Sequence, residues 1–576
     1  MQKLSELRTA KWSIFTSKDD KFAVIKTAFT SEKVTPQTEQ EKEKVEMLKI
    51  AIKVIEANTS SDVQSVIWQL QSSFDKYEDQ KQKRKRKDIC RRLIKSYQLE
   101  CSTLPISALF EEEDAPLLHF YVQPMMQQVE YHKVRKQYKT VKSYNDIFHK
   151  DGQLCKKIYI TGNAGTGKTA ICQKMVLCWC HAQSAGKTDE NFSEEDINTM
   201  KLFNYVFFVS LRDTEMCHVE TMIQQQLLST DKAELIDQIL EDEKCLIILD
   251  GLDEWSHPKS ATFCPIDKKI PHRKTRDSCI YLTTSRPWKL ESNRLITRQI
   301  DQQIELKGLD KRASDKLIAF VVDHLNKKYL KDRTPREFQE AIEKKKQVTG
   351  VSEIPVIKIQ LISLWFQKTD LSTHFSRCEI YADTVEMLLS RAIEREGSQA
   401  VASRNSESVK QINTKTFEQE APNTISRLTL LTEFCDLLYK IGHLAFDMLF
   451  STPDGESSLV FKRNFGKNYN LSDIEIDFLL FVGILSKNKV IGPQHDRLIK
   501  LTFLHKSYQE FFAALYISMN KDIERIEKCI FSKCNSLAEF LRYEQMFVFL
   551  SGMNVKVMEA ISDDVCNMVS ADKDGN

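Results

Sequence analysis

The stretch GNAGTGKT, from Gly162 to Thr169, constrains the fold of this chain more than any other part of the sequence. It fits the pattern G-x-x-x-x-G-K-[ST] without a mismatch, and it lies between a β-rich run, KIYIT, and a helical run, AICQKMVLCWC. In such a loop, glycines let backbone amides curl around phosphates, and the following helix adds partial positive charge. The pattern predicts an α/β nucleotide-binding core of the P-loop NTPase type.

Every residue of this loop is a predicted contact to the nucleotide. Lys168 is expected to reach the β- and γ-phosphates, and the Thr169 hydroxyl is expected to bind Mg²⁺. The alternative, a glycine-rich turn with a chance lysine, is disfavoured because a strand and a helix flank the loop as the pattern requires. The predicted contacts are Gly162, Asn163, Ala164, Gly165, Thr166, Gly167, Lys168 and Thr169.

A second motif, CLIILDGLDEW, supplies carboxylates at the end of another apolar run. Open α/β sheets bind ligands at the carboxyl ends of their strands, where Asp250 is expected to lie. We therefore expect Asp250 to hold Mg²⁺ together with Thr169, directly or through water. Asp253 and Glu254 are expected to orient or deprotonate the attacking water. The alternative is that these acids are surface charges after a buried strand.

The run CIYLTTSRPW ends at Arg286, which is expected at the same edge of the sheet, near the γ-phosphate. A salt-bridged loop arginine is the alternative. The guanine-reading pattern N-K-x-D of small GTPases does not occur in the sequence. Its absence favours adenine as the base.

The alternation of elements predicts the domain organisation. Short apolar β-rich runs alternate with helical stretches, which indicates a parallel sheet with helices on both faces. Amphipathic helical patterns precede and follow this region. The predicted order is a helical N-terminal region of unassigned type at 1–100, an extended connector at 101–150, the nucleotide-binding core at 151–306, a helical domain at 307–395 and a polar loop or insertion at 396–425.

Charge and composition limit the classes of partner. Lys+Arg of 83 against Asp+Glu of 81 leaves no global electrostatic argument for nucleic acid, which is therefore an unexpected ligand. The basic block Lys81–Asp88 is interpreted as a solvated helix or linker, with nuclear import or RNA contact as the alternative. The longest apolar run near the end, Phe478–Ser486, is too short to span a bilayer, which needs about 20 residues.

The cysteines indicate the compartment. The 15 cysteines are scattered, mostly within apolar runs, and no CxxC pair occurs. Spacing of this kind does not favour a structural zinc site and is typical of free thiols in a reducing compartment. Because no signal peptide is visible either, we expect a cytoplasmic protein.

Four motifs, in register, resemble the NACHT module of NOD-like receptors, which are P-loop ATPases of the STAND class. They are ITGNAGTGKTAICQKM, LIILDGLDEW, YLTTSRPW and LTFLHKSYQEFFAALY, and the likeness covers about residues 100–520. The most distinctive element is the arrangement from Asp250 to Glu254, in which a small residue and then two more acids follow the Mg²⁺-binding aspartate.

The resemblance implies further domains and two further site residues. A winged-helix domain is expected at 426–520, followed by the start of a second helical domain at 521–576. Pro355 matches the proline that packs against the adenine, although it also suits the first position of a helix. His505 matches the winged-helix histidine that touches the β-phosphate of ADP; a purely structural histidine is the alternative.

The resemblance also implies a function. We expect an ATP/ADP-dependent switch, with Mg²⁺ and slow hydrolysis, that controls self-association in innate-immune or cell-death-type signalling. A protein partner of the N-terminal helices is also expected, and no leucine-rich repeats are visible within residues 1–576. The alternatives are a turnover ATPase or P-loop kinase, and a scaffold that binds nucleotide without cycling.

Overall fold

The chain folds into two compact units, Met1–Ile94 and Lys95–Asn576, and each has a hydrophobic core of its own. The boundary between them falls inside one long helix. The structure, a computed structural model, describes residues 39–57, 63–104, 115–132, 135–184, 190–212, 214, 216–227, 233–258, 269–292, 300–343, 353–367, 376–398, 422–451, 460–487, 500–520, 522–534 and 536–574.

The first unit contains two helices, α1 (Glu39–Ala57) and α2 (Val63–Glu100), of which α2 continues into the second unit. Apolar residues at helical spacing on the two helices meet in a small core, because only one face of each helix is apolar. The helical character predicted for the N-terminal region is confirmed for the described residues. Lys81–Asp88 lies within α2, and its residues are exposed or partly exposed. The core residues are Ala51, Ile55, Val66, Ile67, Leu70 and Phe74.

The second unit is built around a seven-stranded sheet with the order β4-β3-β11-β7-β10-β9-β8. The strands from β11 to β8 are parallel, whereas β3 and β4 are antiparallel additions at one edge. In chain order the strands are β1 (Thr103–Leu104), β2 (Ala115–Pro116), β3 (Met125–His132), β4 (Arg135–Val141), β5 (His149–Lys150), β6 (Gln153–Leu154), β7 (Lys157–Gly162), β8 (Tyr205–Ser210), β9 (Cys245–Asp250), β10 (Cys279–Ser285) and β11 (Gln302–Gly308).

The central strands are buried on both faces. Successive side chains of a strand point to opposite faces, and every residue of β9 and β10 is buried. Continuous apolar runs therefore form these strands, and the predicted α/β class with a mostly parallel sheet is confirmed. The helices of this region are α3 (Leu117–Phe120), α4 (Tyr144–Phe148), α5 (Lys168–Gln183), α6 (Glu194–Met200), α7 (Val219–Leu227), α8 (Ala233–Asp242) and α9 (Pro287–Ser292).

Two strands of the sheet lie within residues 101–150, where the sequence predicts a connector into the core. Residues 125–132 form β3 and residues 135–141 form β4, and the two strands pair with each other and extend the sheet beyond β11. The hairpin lies at the sheet edge, and its sequence, MMQQVEYH followed by RKQYKTV, mixes polar and apolar residues. A half-exposed edge strand lacks the continuous apolar run that reveals a central strand.

Helices dominate beyond β11. The first four are α10 (Lys311–Tyr329), α11 (Pro335–Glu343), α12 (Pro355–Gln367) and α13 (Arg377–Ser398). After them come α14 (Asn423–Ser426), α15 (Thr429–Glu433), α16 (Cys435–Phe450), α17 (Asp473–Val482), α18 (Lys506–Met519), α19 (Ile523–Lys533), α20 (Leu537–Leu541), α21 (Glu544–Met553) and α22 (Val555–Asp574). These helices share one large core with the segments around them.

A small antiparallel sheet lies among these helices, in the order β12 (Val460–Lys462), β14 (Lys500–Phe503), β13 (Leu485–Lys487). Helix α18 follows β14 directly and packs against α16 and α21. It is buried on all sides, because its apolar residues surround the axis instead of forming one stripe. The winged-helix assignment for residues 426–520 stays a prediction.

Further sequence-based expectations concern the polar segment, membrane-spanning helices, the cellular location and the cysteines. Most of the polar segment predicted at 396–425 lies outside the described residues. Among the described helices, none combines the length and the apolar character that crossing a bilayer demands. The cytoplasmic location stays a prediction. No disulfide joins any two cysteines of the described ranges.

Candidate functional site

The phosphate loop has the backbone conformation that its glycines predict. Gly165 and Gly167 have φ values of +77° and +95°, in the left-handed region that side chains with a Cβ rarely adopt. Gly167 is the residue before α5, so the helix begins at Lys168. The Lys168 Nζ donates to the carbonyl oxygens of Gly162, at 2.8 Å, and Asn163, at 3.0 Å. The ammonium group is therefore held over the loop that would receive phosphate.

The two predicted Mg²⁺ ligands lie in direct contact. Thr169 Oγ1 donates to Asp250 Oδ2 at 2.8 Å, and Thr284 Oγ1 donates to Asp250 Oδ1 at 2.6 Å. Asp250 is the last residue of β9, and its side chain is buried. Carboxylate and hydroxyl oxygens are the ligands that Mg²⁺ prefers. The donor set therefore fits this ion.

Arg286 connects two parts of the molecule. It follows β10, and its Nε lies 3.2 Å from Asp253 Oδ2 while its Nη1 donates to Glu510 Oε1 at 3.0 Å. Glu510 belongs to α18, and both side chains are almost fully buried. Burial opposes the guanidinium charge, but Glu510 and Asp253 outweigh it and raise the pKa of Arg286. Arg286 is thus a salt-bridged arginine in this structure, with Asp253 and Glu510 as its partners.

The two acids after β9 have different environments. Burial by itself would raise the pKa of Asp253, but Lys506, Arg286, Lys168 and Arg212 lower it to about 2. Burial raises the pKa of Glu254, even though Arg212 Nε lies 2.6 Å from its Oε2. A carboxylate with a raised pKa accepts a proton more readily. Glu254 is therefore the better candidate for a general base.

His505 is held in one tautomer. Its Nδ1 accepts from the backbone N–H of Ser507 at 3.1 Å, and a backbone N–H can only donate. The Ser507 hydroxyl lies 2.6 Å from the same nitrogen and in turn accepts from Tyr381 of α13 at 2.7 Å. Burial and the surrounding cations lower the pKa of His505 to about 3. The ring is neutral at pH 7, with its one N–H on Nε2.

Two lysines, Lys168 and Lys506, lie in the same charged region as Arg286 and the two acids. Burial lowers the pKa of Lys168 to about 8, and burial followed by Arg286 lowers that of Lys506. Lys506 is the first residue of α18, next to His505, and is buried. Such a concentration of cationic and acidic groups in one buried region is typical of a binding site for a charged ligand.

One cavity of about 330 Å³ brings the predicted residues together. Its wall includes Pro355 and Val356 from the start of α12, and Gly165 of the loop lies close to Val356. Gly162 and Asn163, at the start of the loop, are not among its lining residues. The predicted residues in its wall are Ala164, Gly165, Thr166, Gly167, Lys168, Thr169, Asp250, Asp253, Glu254, Arg286, Pro355 and His505.

Several residues that line this cavity were not predicted from the sequence. An apolar wall comes from the segment around α3, with further contributions from α10 and α12. The motif APLLHFYVQP carries these apolar residues, but nothing local shows that they face a ligand. Arg212 was missed because it follows β8 in a loop without a motif. The residues missed are Leu117, Phe120, Tyr121, Val122, Pro124, Ala170, Gln173, Arg212, Gly251, Thr284, Leu317, Val356, Ile359, Leu504 and Lys506.

Comparison with known proteins identifies the core. Residues 156–324 match the model of the NACHT domain. Human NACHT, LRR and PYD domains-containing protein 10 is 28% identical over 171 residues, which cover 28% of this chain and 24% of that protein. The mouse protein of the same name is 30% identical over 138 residues, 23% of this chain and 18% of that protein.

Other similarities are more distant. The zebrafish (Danio rerio) NACHT, LRR and PYD domains-containing protein 1 homolog is 26% identical over 175 residues, covering 28% of this chain and 11% of that protein. These matches thus span about a quarter or less of the curated relatives. A STAND protein with a tetratricopeptide repeat sensor from Pyrococcus horikoshii aligns with 69% of this chain and 46% of its own chain, at 13% identity and a TM-score of 0.27. A TM-score this low does not support an inference about the fold.

Proposed function

This chain contains a NACHT domain, and from that premise we propose that it is an ATP/ADP-dependent conformational switch reset by slow ATP hydrolysis. The observation that carries the proposal is the composition of one cavity. The phosphate loop, the acids after β9, Arg286, the start of α12 and the start of α18 all contribute to its wall. A ligand in contact with all of these elements has a different affinity when they separate, and only such a difference shifts a conformational equilibrium.

The side chains suggest how a nucleotide would be held. Lys168 and the loop amides would bind the phosphates, and the Nε2–H of His505 would donate to a phosphate oxygen. The apolar residues around Pro355 and Phe120 would enclose the base. Thr169 and Asp250 would hold Mg²⁺, which when bound neutralises phosphate charge. Binding therefore needs groups from the core and from α18 at the same time.

Hydrolysis would depend on the acids. Glu254 would take a proton from a water molecule as its oxygen bonds to the γ-phosphorus and the bond to the β,γ-bridging oxygen breaks. Asp253, with its low pKa and its contact to Arg286, would position the arginine instead of accepting a proton. In this closed arrangement Arg286 is also engaged by Glu510, so its full charge is not directed at the phosphates. Slow turnover follows from that engagement.

The experiment that tests the proposal is mass spectrometry of nucleotide retained by the purified chain, followed by sizing with added ATP. We expect retained ADP in the wild type and none in Lys168→Ala, because the ammonium that faces the loop is lost. Lys201→Ala, an exposed lysine of the same core, is the matched control and should retain nucleotide. A Lys168→Ala protein that still carries ADP would overturn this account of the loop.

The same measurements separate the alternatives. Steady-state turnover at about 1 s⁻¹ or faster, near the low end of typical enzymes, would indicate a turnover ATPase or a kinase. Identical elution and protease sensitivity with ADP and with a non-hydrolysable ATP analogue would indicate a scaffold that never cycles. A monomer with ADP that assembles with ATP supports the switch.

We propose that the switch controls self-association in innate-immune or cell-death-type signalling. Support comes from the NACHT domain and from relatives whose names include it. Helices α1 and α2 are proposed to bind a protein partner. Deleting residues 1–94 should leave nucleotide retention intact, because the cavity lies wholly within the second unit, while abolishing co-purification of that partner.

A further inference from the structure

Three potential metal ligands lie together outside the nucleotide cavity. Cys217, in the loop before α7, His257, three residues after Glu254, and His272, before β10, place their ligand atoms within 4.8 Å of one another. Cys217 is buried, and both histidines are partly buried. They come from three separate segments of the core, at spacings that no local motif would reveal.

The spacing of the two rings suits a tetrahedral ion. The Nε2 atoms of His257 and His272 lie 3.2 Å apart. Zinc binds imidazole nitrogen at about 2.0–2.1 Å, which in a tetrahedral site puts two such nitrogens about 3.3 Å apart. The histidine pair therefore already has the geometry of one edge of a zinc tetrahedron. The Cys217 Sγ lies within 4.8 Å of a ring nitrogen of each histidine, and the Zn–S distance of about 2.3 Å would require it to move toward the ion.

The hydrogen bond on the far side of His257 fixes its tautomer. His257 Nδ1 lies 3.0 Å from the carbonyl oxygen of Pro258, which can only accept, so Nδ1 carries the proton. The lone pair of Nε2 is consequently directed at His272. Metal-binding histidines commonly donate their other ring N–H to a backbone carbonyl in this way. This contact is an independent indication of a ligand.

Backbone hydrogen bonds hold two of the three segments in place. The His272 N–H donates to the Cys217 carbonyl at 2.7 Å, and the Val219 N–H donates to the His272 carbonyl at 2.9 Å. The third segment is attached through Trp255, whose indole Nε1 donates to the Met216 carbonyl at 3.4 Å. These hydrogen bonds connect the three segments whether or not an ion is bound.

We infer that Cys217, His257 and His272 form a Zn²⁺ site that fastens the loop of Asp253 and Glu254 to the segments beside it. Cysteine thiolate and histidine imidazole are both zinc ligands, and a water molecule would complete a tetrahedral set of four. On binding, the Cys217 thiol releases its proton to solvent, and His272 moves its one ring proton from Nε2 to Nδ1, so that the Nε2 lone pair is available to the ion. The local spacings of cysteine and histidine do not indicate this site, because its three ligands come from separate segments of the chain.

The test uses the full chain, with any affinity tag removed, purified without chelator and analysed for metals by mass spectrometry. We expect about one zinc per chain in the wild type and loss of most of it in Cys217→Ser and His272→Gln. His218→Gln is the matched control, because the exposed His218 ring lies beside His272, at 5.3 Å between centroids, but is outside the cluster. It should keep the metal.

Cobalt substitution supplies a readout that misfolding cannot imitate. Co²⁺ added to the metal-free wild type should produce thiolate-to-metal charge-transfer absorption. In Cys217→Ser that band should vanish while far-ultraviolet circular dichroism stays unchanged. Substoichiometric zinc in the wild type together with no cobalt band would overturn the inference and leave a simple hydrogen-bonded histidine pair. Equal zinc in Cys217→Ser and in the wild type would also overturn it.

Discussion

At the scale of single residues, the environment of a side chain decides its role more than its type does. Asp253 and Glu254 are adjacent acids in one turn, and the sequence motif predicts the same role for both. The structure separates them, because cations surround Asp253 whereas burial dominates at Glu254. The motif could therefore predict where the acids lie, but not which of them is the better base.

A substitution of Glu254 tests this difference. Glu254→Gln should slow single-turnover ATP hydrolysis by about 10²-fold or more, the usual contribution of a general base, while retention of nucleotide persists. Asp253→Asn is the comparison: it should weaken the hold on Arg286 and thereby lower retention as well. Rapid-quench measurement of one turnover in both variants decides the question. Unchanged hydrolysis in Glu254→Gln would show that another group activates the water.

A second prediction concerns pH and His505. Its ordinary pKa is 6.5 and its pKa in the folded chain is about 3, so the folded state opposes protonation. The free energy of unfolding should therefore be highest above about pH 6.5 and fall as the pH is lowered, by up to about 1.4 kcal/mol per pH unit.

The measurement is urea unfolding of the wild type and His505→Gln between pH 7.5 and about 4.5. His324 and His443 also have lowered pKa values, so the quantity to compare is the difference in slope between the two proteins. The glutamine variant should show the shallower decline. Parallel curves would mean that His505 takes up a proton in the folded chain as readily as in the unfolded one.

At the scale of elements, the contact between α16 and α18 depends on one glycine. A Cβ added at Gly442 of α16 would lie 2.7 Å from the backbone carbonyl oxygen of Phe512 in α18. The obstacle is backbone, so it cannot rotate away, and the helices would have to move apart. Helix α18 also supplies Lys506, which lines the cavity, and Glu510, which pairs with Arg286. A shift of this helix would therefore change the cavity as well.

Gly442→Ala should consequently destabilise the chain even though alanine favours helices. Overpacking of this kind costs about 1–3 kcal/mol, against a gain of up to about 1 kcal/mol in helix propensity. We expect a lower urea midpoint and weaker ADP retention together. A midpoint equal to or above that of the wild type would show that the two helices separate without cost. Gly442 was not predictable, because no local pattern marks a helix crossing.

At the scale of the whole molecule, the core and α18 are joined by a buried ion pair. Arg286 and Glu510 are 224 positions apart in the sequence, yet their atoms lie 3.0 Å apart. Removing one partner of a buried pair costs about 3–5 kcal/mol, because the other charge stays buried without compensation. The pair therefore favours the arrangement described above, in which the core and the start of α18 both contribute to the cavity wall.

Glu510→Gln should open this arrangement. We expect faster proteolysis between the core and α18, and self-association at lower ATP concentration than in the wild type. Glu340→Gln is the control, because its ion pair with Arg336 is exposed and contributes little. Limited proteolysis and light scattering measure both effects. If Glu510→Gln resists protease like the Glu340 variant, the pair does not hold the closed form.

The features of this protein that depend only on neighbours along the chain follow from local sequence patterns. A phosphate loop needs glycines, a lysine and a threonine in one short run, and buried parallel strands need continuous apolar residues. The parallel-sheet core and the convergence of its loop residues on one cavity were therefore predictable, and the resemblance added Pro355 and His505. The edge hairpin β3–β4, the pairing of Arg286 with Glu510 and the cluster at Cys217 were decided only by the tertiary structure. Each depends on segments that are distant in sequence, and only packing brings such segments into contact.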